Sequence, residues 1–223
     1  MRSPRLLPVT LVALLLGGCA GVPYKAKMPL TDAGKCVEDL HAVPQIPLKY
    51  FAPAKDKDET AEPYVEFADI AQCFRVAGVG TTPVAVYRLD GVAPPAELGV
   101  SVTLSTGGTF AAAVEILDAD FKSLRRYGFQ DFVRRGTEYS LHIFLNQAGT
   151  PPAYVMLLAD KTQAGKSDVA LGSETTPIMI PAGPVFFVYN SGSETHSVRP
   201  FLEGGRVSMT AKPQASAAFS NKR

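Results

Sequence analysis

"LGVSVTLST", residues 98–106, alternates without a break: Leu98, Val100, Val102 and Leu104 fall on one side, Gly99, Ser101, Thr103 and Ser105 on the other. A period of two belongs to a β-strand with one face buried and one face open, because successive side chains point to opposite faces. "YSLHIFL", residues 139–145, repeats the pattern, with Tyr139, Leu141, Ile143 and Leu145 on one face and Ser140, His142 and Phe144 on the other. Further strand candidates are "PVAVYRLD" (83–90), "AVEILDAD" (113–120), "YVMLLAD" (154–160), "PVFFVYN" (184–190) and "RVSMTAK" (206–212). Turn signals separate them: Asp90-Gly91, Gly107-Gly108, Gly149 to Pro152, Pro181-Ala182-Gly183 and Gly204-Gly205. No stretch after residue 63 has the period of a long amphipathic helix, so the crossovers that a parallel sheet needs are missing. The pattern predicts an all-β fold, an antiparallel β-sandwich of jelly-roll type, over residues 64–213.

Ahead of this domain the chain has a different texture. Prolines at 23, 29, 44, 47, 53 and 63 forbid a long helix. One short helix is expected over Ala33–Ala42, capped by Asp32, with Cys36, Val37 and Leu40 on one face and Pro44 ending it. "AKDKDET", residues 54–60, reads as a solvated charged loop. The small, polar segment 214–223 has no apolar periodicity and is expected to be a disordered tail.

The first residues speak about location. Arg2 and Arg5 precede the apolar run Leu6–Leu16, which is too short to span a bilayer, for which about 20 apolar residues are needed. It has the length of the central zone of a secretory signal. The run stops in "LLLGGCAG", residues 14–21, and Leu16-Gly17-Gly18-Cys19 resembles the bacterial lipobox. That resemblance implies a signal peptide over residues 1–18, acylation of Cys19, and a lipidated tether and leader over residues 19–63. Several acyl chains hold firmly, where a single one binds only marginally. By resemblance to enterobacterial sorting rules, Ala20 rather than an aspartate implies the outer membrane, with the domain facing the periplasm. Lipidation leaves two cysteines, Cys36 and Cys73. In an oxidising compartment an even pair is a disulfide candidate; two buried free thiols are the alternative.

Charge and motifs narrow the activity. The chain has 22 Lys and Arg against 21 Asp and Glu, without the basic footprint of a nucleic-acid binder. Its three histidines, His41, His142 and His196, are far apart in sequence, and no H-E-x-x-H pair exists for a metal. No G-x-S-x-G elbow, Walker loop or G-x-G-x-x-G turn is present. Asp118 and Asp120 share one side of a strand end, where they read as hairpin residues more readily than as a glycosidase pair. No catalytic residue, metal or cofactor is therefore assigned.

Two candidate contact features remain. "RRYGFQDFVRR", residues 125–135, brackets an aromatic turn with Arg125, Arg126, Arg134 and Arg135. Brought together across a hairpin, these would form an anion-contact edge for lipid headgroups or acidic glycans; the plainer reading is a solvated hairpin whose charges block edge pairing. Tyr87, Tyr127, Phe129, Tyr139, Phe144, Tyr154 and Tyr189 are the aromatics that could stack on sugars, although strand aromatics more often belong to a core.

The run "TPVAVYRLDGVAPPAELGVSVTLSTGG", then "AAAVEILDADFKSLRRYGFQDFVRRG", "LHIFLNQAG" and "YVMLLADKTQAGKSD", is similar to the maltose-operon periplasmic protein family. Val84, Val86, Tyr87 and Leu89 match its first strand motif; Leu98, Val100, Val102, Leu104 and Ser105 match the second; Val114, Leu117 and Asp118 match the third. Ala159 and Asp160 stand where the family often has threonine, and the proline-alanine linker and C-terminal helical part of longer members are absent. The resemblance covers Tyr64 to Val207 and implies a periplasmic or outer-membrane protein associated with carbohydrate uptake, with no catalytic residues to carry over. The expectation is a non-enzymatic outer-membrane lipoprotein, held to the membrane by its lipid, that assists maltose- or maltodextrin-type transport by contacting a glycan or an envelope protein. The alternative is a structural or assembly partner of an envelope complex with no small ligand. An exposed aromatic groove favours the first, a flat apolar patch the second.

Overall fold

The computed structural model describes residues 24–30, 33–48, 64–76, 80–146, 149–182 and 185–213. The expected signal segment over residues 1–18, Cys19, Asp32, and the stretches 54–60 and 214–223 lie outside the described residues. In chain order the elements are β1 (Gln45–Pro47), β2 (Val65–Glu66), α1 (Phe67–Ile70), β3 (Gln72–Val76), β4 (Gly80–Arg88), β5 (Ala96–Thr103), β6 (Thr109–Phe110), β7 (Ala112–Leu117), β8 (Ser123–Tyr127), β9 (Val133–Arg135), β10 (Glu138–Leu145), β11 (Tyr154–Ala159), β12 (Ser167–Ala182), β13 (Val185–Leu202) and β14 (Arg206–Pro213). The fold is an all-β sandwich. One sheet runs β1-β4-β11-β7-β8, with β3 also on β4; the other runs β2-β14-β5-β10-β9; β12, β13 and β6 form a third, smaller sheet. Pairing is antiparallel except for β1 on β4 and β13 on β6.

The alternation is read out directly over residues 98–103, and ends with β5: Leu104 is half-buried and Ser105 buried. Leu98, Val100 and Val102 are fully buried, while Glu97, Gly99, Ser101 and Thr103 are only partly covered. They meet Leu141 and Ile143 of β10 and Val207 and Met209 of β14, and together face Ala85, Tyr87, Val114, Ile116, Val155 and Leu157 of the first sheet in one core. The first sheet does not alternate: Val84, Ala85 and Val86 are all fully buried. Its second face carries its own apolar cluster, in which Val84, Val86, Ala113, Leu117, Met156 and Leu158 pack with Val43 and are flanked by Val37, Leu40 and Phe74. A strand covered on both faces needs apolar residues at every position.

The cover is the leader. The expected helix over Ala33–Ala42 is instead two separate 3₁₀ turns, Ala33–Lys35 and Leu40–Ala42. Between them Val37 runs as a strand bridge beside Phe74: the Val37 N–H donates to Cys73 O at 3.0 Å, and the Arg75 N–H donates to Val37 O at 2.8 Å. Those bonds use the groups that a helix would have paired internally. Asp39 caps the second turn by accepting from the His41 N–H at 2.9 Å. Beyond it, β1 pairs with Val86–Arg88 of β4. Cys36 and Cys73 are disulfide-bonded, with Cα atoms 4.5 Å apart, so the cover is stapled to β3.

Residues 125–135 do not form the expected hairpin. β8 pairs with β7 in the first sheet and β9 with β10 in the second, so the segment crosses from sheet to sheet. The cause is apolar. Phe129 and Phe132 are buried in the core, and the Phe129 ring lies 4.8 Å from Tyr139 and 5.0 Å from Phe201. Asp160 holds the crossing in place: its carboxylate accepts from the Phe129 N–H at 2.8 Å, the Thr162 N–H at 3.0 Å and the Thr162 hydroxyl at 2.7 Å. Burial alone would push this carboxyl up. The hydrogen bonds and the nearby Arg126 charge outweigh burial and hold it below the usual carboxylate range.

"PVFFVYN" is not a strand of the sandwich. From Val185 on it belongs to β13, which pairs with β12 in unbroken register from Ser167↔Pro200 to Ala182↔Val185. The two strands make an arm about 50 Å long at ~3.3 Å per residue. Its root is fixed where Phe201 and Leu202 pair with Thr109 and Phe110 of β6. Gly108, at φ +151°, passes so close to Pro200 that a Cβ there would collide with the Pro200 carbonyl.

Candidate functional site

With the first sheet covered on both faces, the open face of the second sheet is a surface left for contact. Glu97, Gly99 and Ser101 of β5, Ser140 and His142 of β10, and Thr210 and Lys212 of β14 line a cleft of about 190 Å³ there. His142 Nδ1 and Glu97 Oε1 are 2.6 Å apart across its floor. At Gly99 the floor is tight, since a Cβ would stand 2.8 Å from Thr210 Oγ1. The buried hydroxyls of Ser140 and Ser208 find no hydrogen-bond partner among the described residues. Phe144, two residues beyond His142 on the same side of β10, is 48% exposed and puts one ring at the end of this polar face.

A second cavity, of about 270 Å³, lies at the root of the arm. Tyr24, Thr106, Arg134 and Arg199 are among its walls. The Thr106 N–H donates to Tyr24 O at 2.9 Å, so the described chain begins against this root. The Tyr24 hydroxyl donates to Glu66 at 2.9 Å, and the Arg206 guanidinium lies over its ring at 4.2 Å. Burial, then the Glu66 carboxylate, pushes the Tyr24 hydroxyl well above its ordinary value. On the arm side, Asp168 stands 3.9 Å from Arg134 and beside Tyr139, whose hydroxyl is pushed up to about 12 by burial and by that carboxylate.

The third feature is the arm's distal end. Ile178 and Ile180 sit opposite Tyr189 and Phe187 on one face; Met179 sits opposite Val188, and Pro181 opposite Phe186, on the other. All of these large apolar side chains are exposed, Phe186 by 69% and Phe187 by 61%.

The residues singled out from sequence are scattered over the molecule. Arg125 and Arg126 stand on the first sheet, where Arg125 donates to Phe144 O at 3.4 Å and Arg126 lies 3.9 Å from Glu115. Arg134 and Arg135 stand on the second, at the arm root and at the cleft respectively. The four do not form one basic hairpin edge. Asp118 accepts from the Asp120 and Lys122 N–H groups and shapes the β7–β8 turn. Tyr87, Phe129 and Tyr139 are core residues. Tyr154 stacks on Phe121 at 4.2 Å, and Tyr127 is half-buried against the core. Only Phe144 and Tyr189 of the seven aromatics stand out in solvent. His41 pairs with Asp39, His142 with Glu97, and His196 is on the arm. Among the described residues no group of three or more His, Cys, Asp and Glu side chains could hold a metal ion, and no helix is long and apolar enough to cross a membrane.

The arm itself escaped the sequence reading. Its signal is present: "PIMIPA" and "PVFFVYN" are apolar without alternation on either side of Gly183-Pro184, and both lead into Gly-, Ser- and Thr-rich stretches of similar length. A strand apolar at every position must be covered on both faces or stand out from the fold, and sequence alone does not separate the two. Comparison of the chain with protein-family models, with curated proteins and with solved structures finds no match.

Proposed function

We propose that this chain is a non-enzymatic lipoprotein of the outer membrane, anchored through Cys19 and facing the periplasm, whose work is structural: a contact component of an envelope assembly with no small ligand. The observation that carries the reading is the arm, which presents apolar residues on both faces at the end of a long, solvent-exposed hairpin. Monomeric proteins rarely display such a surface without a use for it. The lipobox-like Leu16-Gly17-Gly18-Cys19 supports the anchor. Membership of the maltose-operon periplasmic protein family, suggested by the strand motifs, is part of the same proposal.

A second reading, weak contact with a carbohydrate during uptake, is favoured by the open cleft on the second sheet. The cleft offers hydroxyls and a His–Glu pair, and the exposed ring of Phe144 lies on the same side of β10 as His142.

Metabolic labelling with palmitate tests the anchor. Label is expected on the wild-type chain and is expected to be lost from Cys19→Ser, whose hydroxyl cannot form the thioether. Equal label on the two contradicts the reading.

A further inference from the structure

We infer that the distal end of the β12–β13 arm inserts into the lipid bilayer and gives the protein a membrane contact separate from its acyl anchor. The inference rests on the anchored reading for where the arm lies, and on the arm alone for what its tip binds.

The tip asks for cover on both of its faces. A flat partner covers one face of a hairpin, yet Ile178, Ile180, Phe187 and Tyr189 line one face while Met179, Phe186 and Val188 line the other. Whatever covers the tip must surround it. From Thr175 to Ser193 the sequence has no charged residue. The stem behind the tip is rich in Gly, Ser and Thr. Apart from the exposed pair Val169 and Val198 near the root, the large apolar side chains exposed on the arm among the described residues lie at its end. Four registered pairs, Ile178↔Tyr189 to Pro181↔Phe186, extend about 14 Å at ~3.4 Å each. That reaches through a headgroup layer into the outer acyl region, but it is well short of the ~30 Å hydrocarbon core. Tyr189 forms the last of these pairs on the stem side, the level at which a tyrosine settles in an interface.

Backbone groups decide whether such a tip can enter lipid. An outward N–H on an edge strand has no partner in hydrocarbon and is costly to bury there. Pro177 and Pro181 are four residues apart on β12, hence on the same hydrogen-bonding side of the strand. Having no N–H, they fit the ladder with β13 only if that side faces outward. On the β12 edge two of the three outward donor positions from 177 to 181 are thereby removed, while on the β13 edge the outward N–H groups of Phe186, Val188 and Asn190 remain and must stay at the level of the polar headgroups. The same prolines stop another chain's strand from adding to the β12 edge of the tip.

Chain length places the tip near a membrane. Tyr24 lines the cavity at the arm root together with Arg199 of β13. Five residues from Cys19 to Tyr24 reach at most about 18 Å. An acylated Cys19 therefore holds the root close to the lipid surface, within the sweep of an arm about 50 Å long.

The chain contains no tryptophan, so an introduced indole is the only one. Full-length lipidated protein carrying Phe187→Trp is reconstituted with vesicles of phosphatidylethanolamine and phosphatidylglycerol, and with the same lipids brominated in their acyl chains. Phe144→Trp, on the open sheet face, reports on the sandwich body. The expected result is emission shifted to shorter wavelength, and lost with brominated chains, for the Phe187→Trp protein alone. Absence of quenching in protein that co-floats with the vesicles overturns the inference and leaves the anchor intact. Equal quenching at both positions overturns it, as does a shift without bromine quenching in a protein of dimeric mass, which assigns the tip to a second copy. Failure of the anchored reading shows separately, as protein that neither co-floats nor carries palmitate; the quenching of Phe187→Trp by added vesicles then still decides the tip's occupant.

Discussion

Replacing Cys36 and Cys73 together by alanine is expected to lower the unfolding free energy by about 4 kcal/mol, since the bridge closes a loop with a sequence separation of 37. Alanine avoids burying an unpaired hydroxyl at Cys73, which is almost fully covered. For a domain of this size the loss corresponds to a fall in melting temperature on the order of 10 °C. Its structural meaning is local. The bridge ties the 33–48 cover to β3, and without it the cover is held by the apolar packing of Val43, Val37 and Leu40 and by the backbone pairing of Val37 with β3 and of β1 with β4. Urea unfolding of the oxidised wild type against the double variant measures the difference. A loss below about 1 kcal/mol would mean that the leader docks by packing and the bridge only decorates it.

Phe110→Ala is expected to cost about 3–5 kcal/mol, the range for removing a fully buried phenylalanine. The Phe110 ring lies 4.8 Å from Phe67, another fully buried ring, and its strand β6 pairs with Leu202 at the arm root. Gly205 packs so closely on Phe110 that a Cβ there would stand 2.9 Å from the Phe110 Cβ. The substitution thus opens a cavity where the sandwich, α1 and the arm meet. Phe187→Ala removes the same ring from the tip, where it is 61% exposed, and is expected to change stability by less than about 0.5 kcal/mol. Thermal unfolding of the pair reads this contrast. Equal costs would mean that the tip is packed in a core.

The sandwich was legible because one of its faces is open. In residues 98–103 and 139–145, water on one side and core on the other impose a period of two, and the structure buries the expected sets Leu98, Val100, Val102 and Tyr139, Leu141, Ile143, Leu145; past the end of β5 the alternation breaks, with Leu104 half-buried and Ser105 buried. The first sheet was legible as strands but not as a doubly covered layer, because the cover is made by a proline-rich segment with no periodicity of its own. Val37 and Val43 matter there through where β3 and β4 run, which is non-local information. The 125–135 segment misled for a related reason. Its charged ends suggested a solvated hairpin, whereas Phe129 and Phe132 decide the path by entering the core. The candidate sites were harder still. The cleft is assembled from β5, β10 and β14, whose neighbourhood is set only by the sheet order.

The central claim is that residues of β12 and β13 beyond the root form a free-standing arm rather than two strands of the sandwich. Amide hydrogen exchange of the wild-type chain without lipid tests it most directly. A two-stranded hairpin with exposed faces is only marginally stable and opens locally, so amides between Thr176 and Val198 are expected to exchange far faster than those of Leu98–Val102 and Val155–Leu158 in the core strands. Protection of the 176–198 segment equal to that of the core strands would contradict the account.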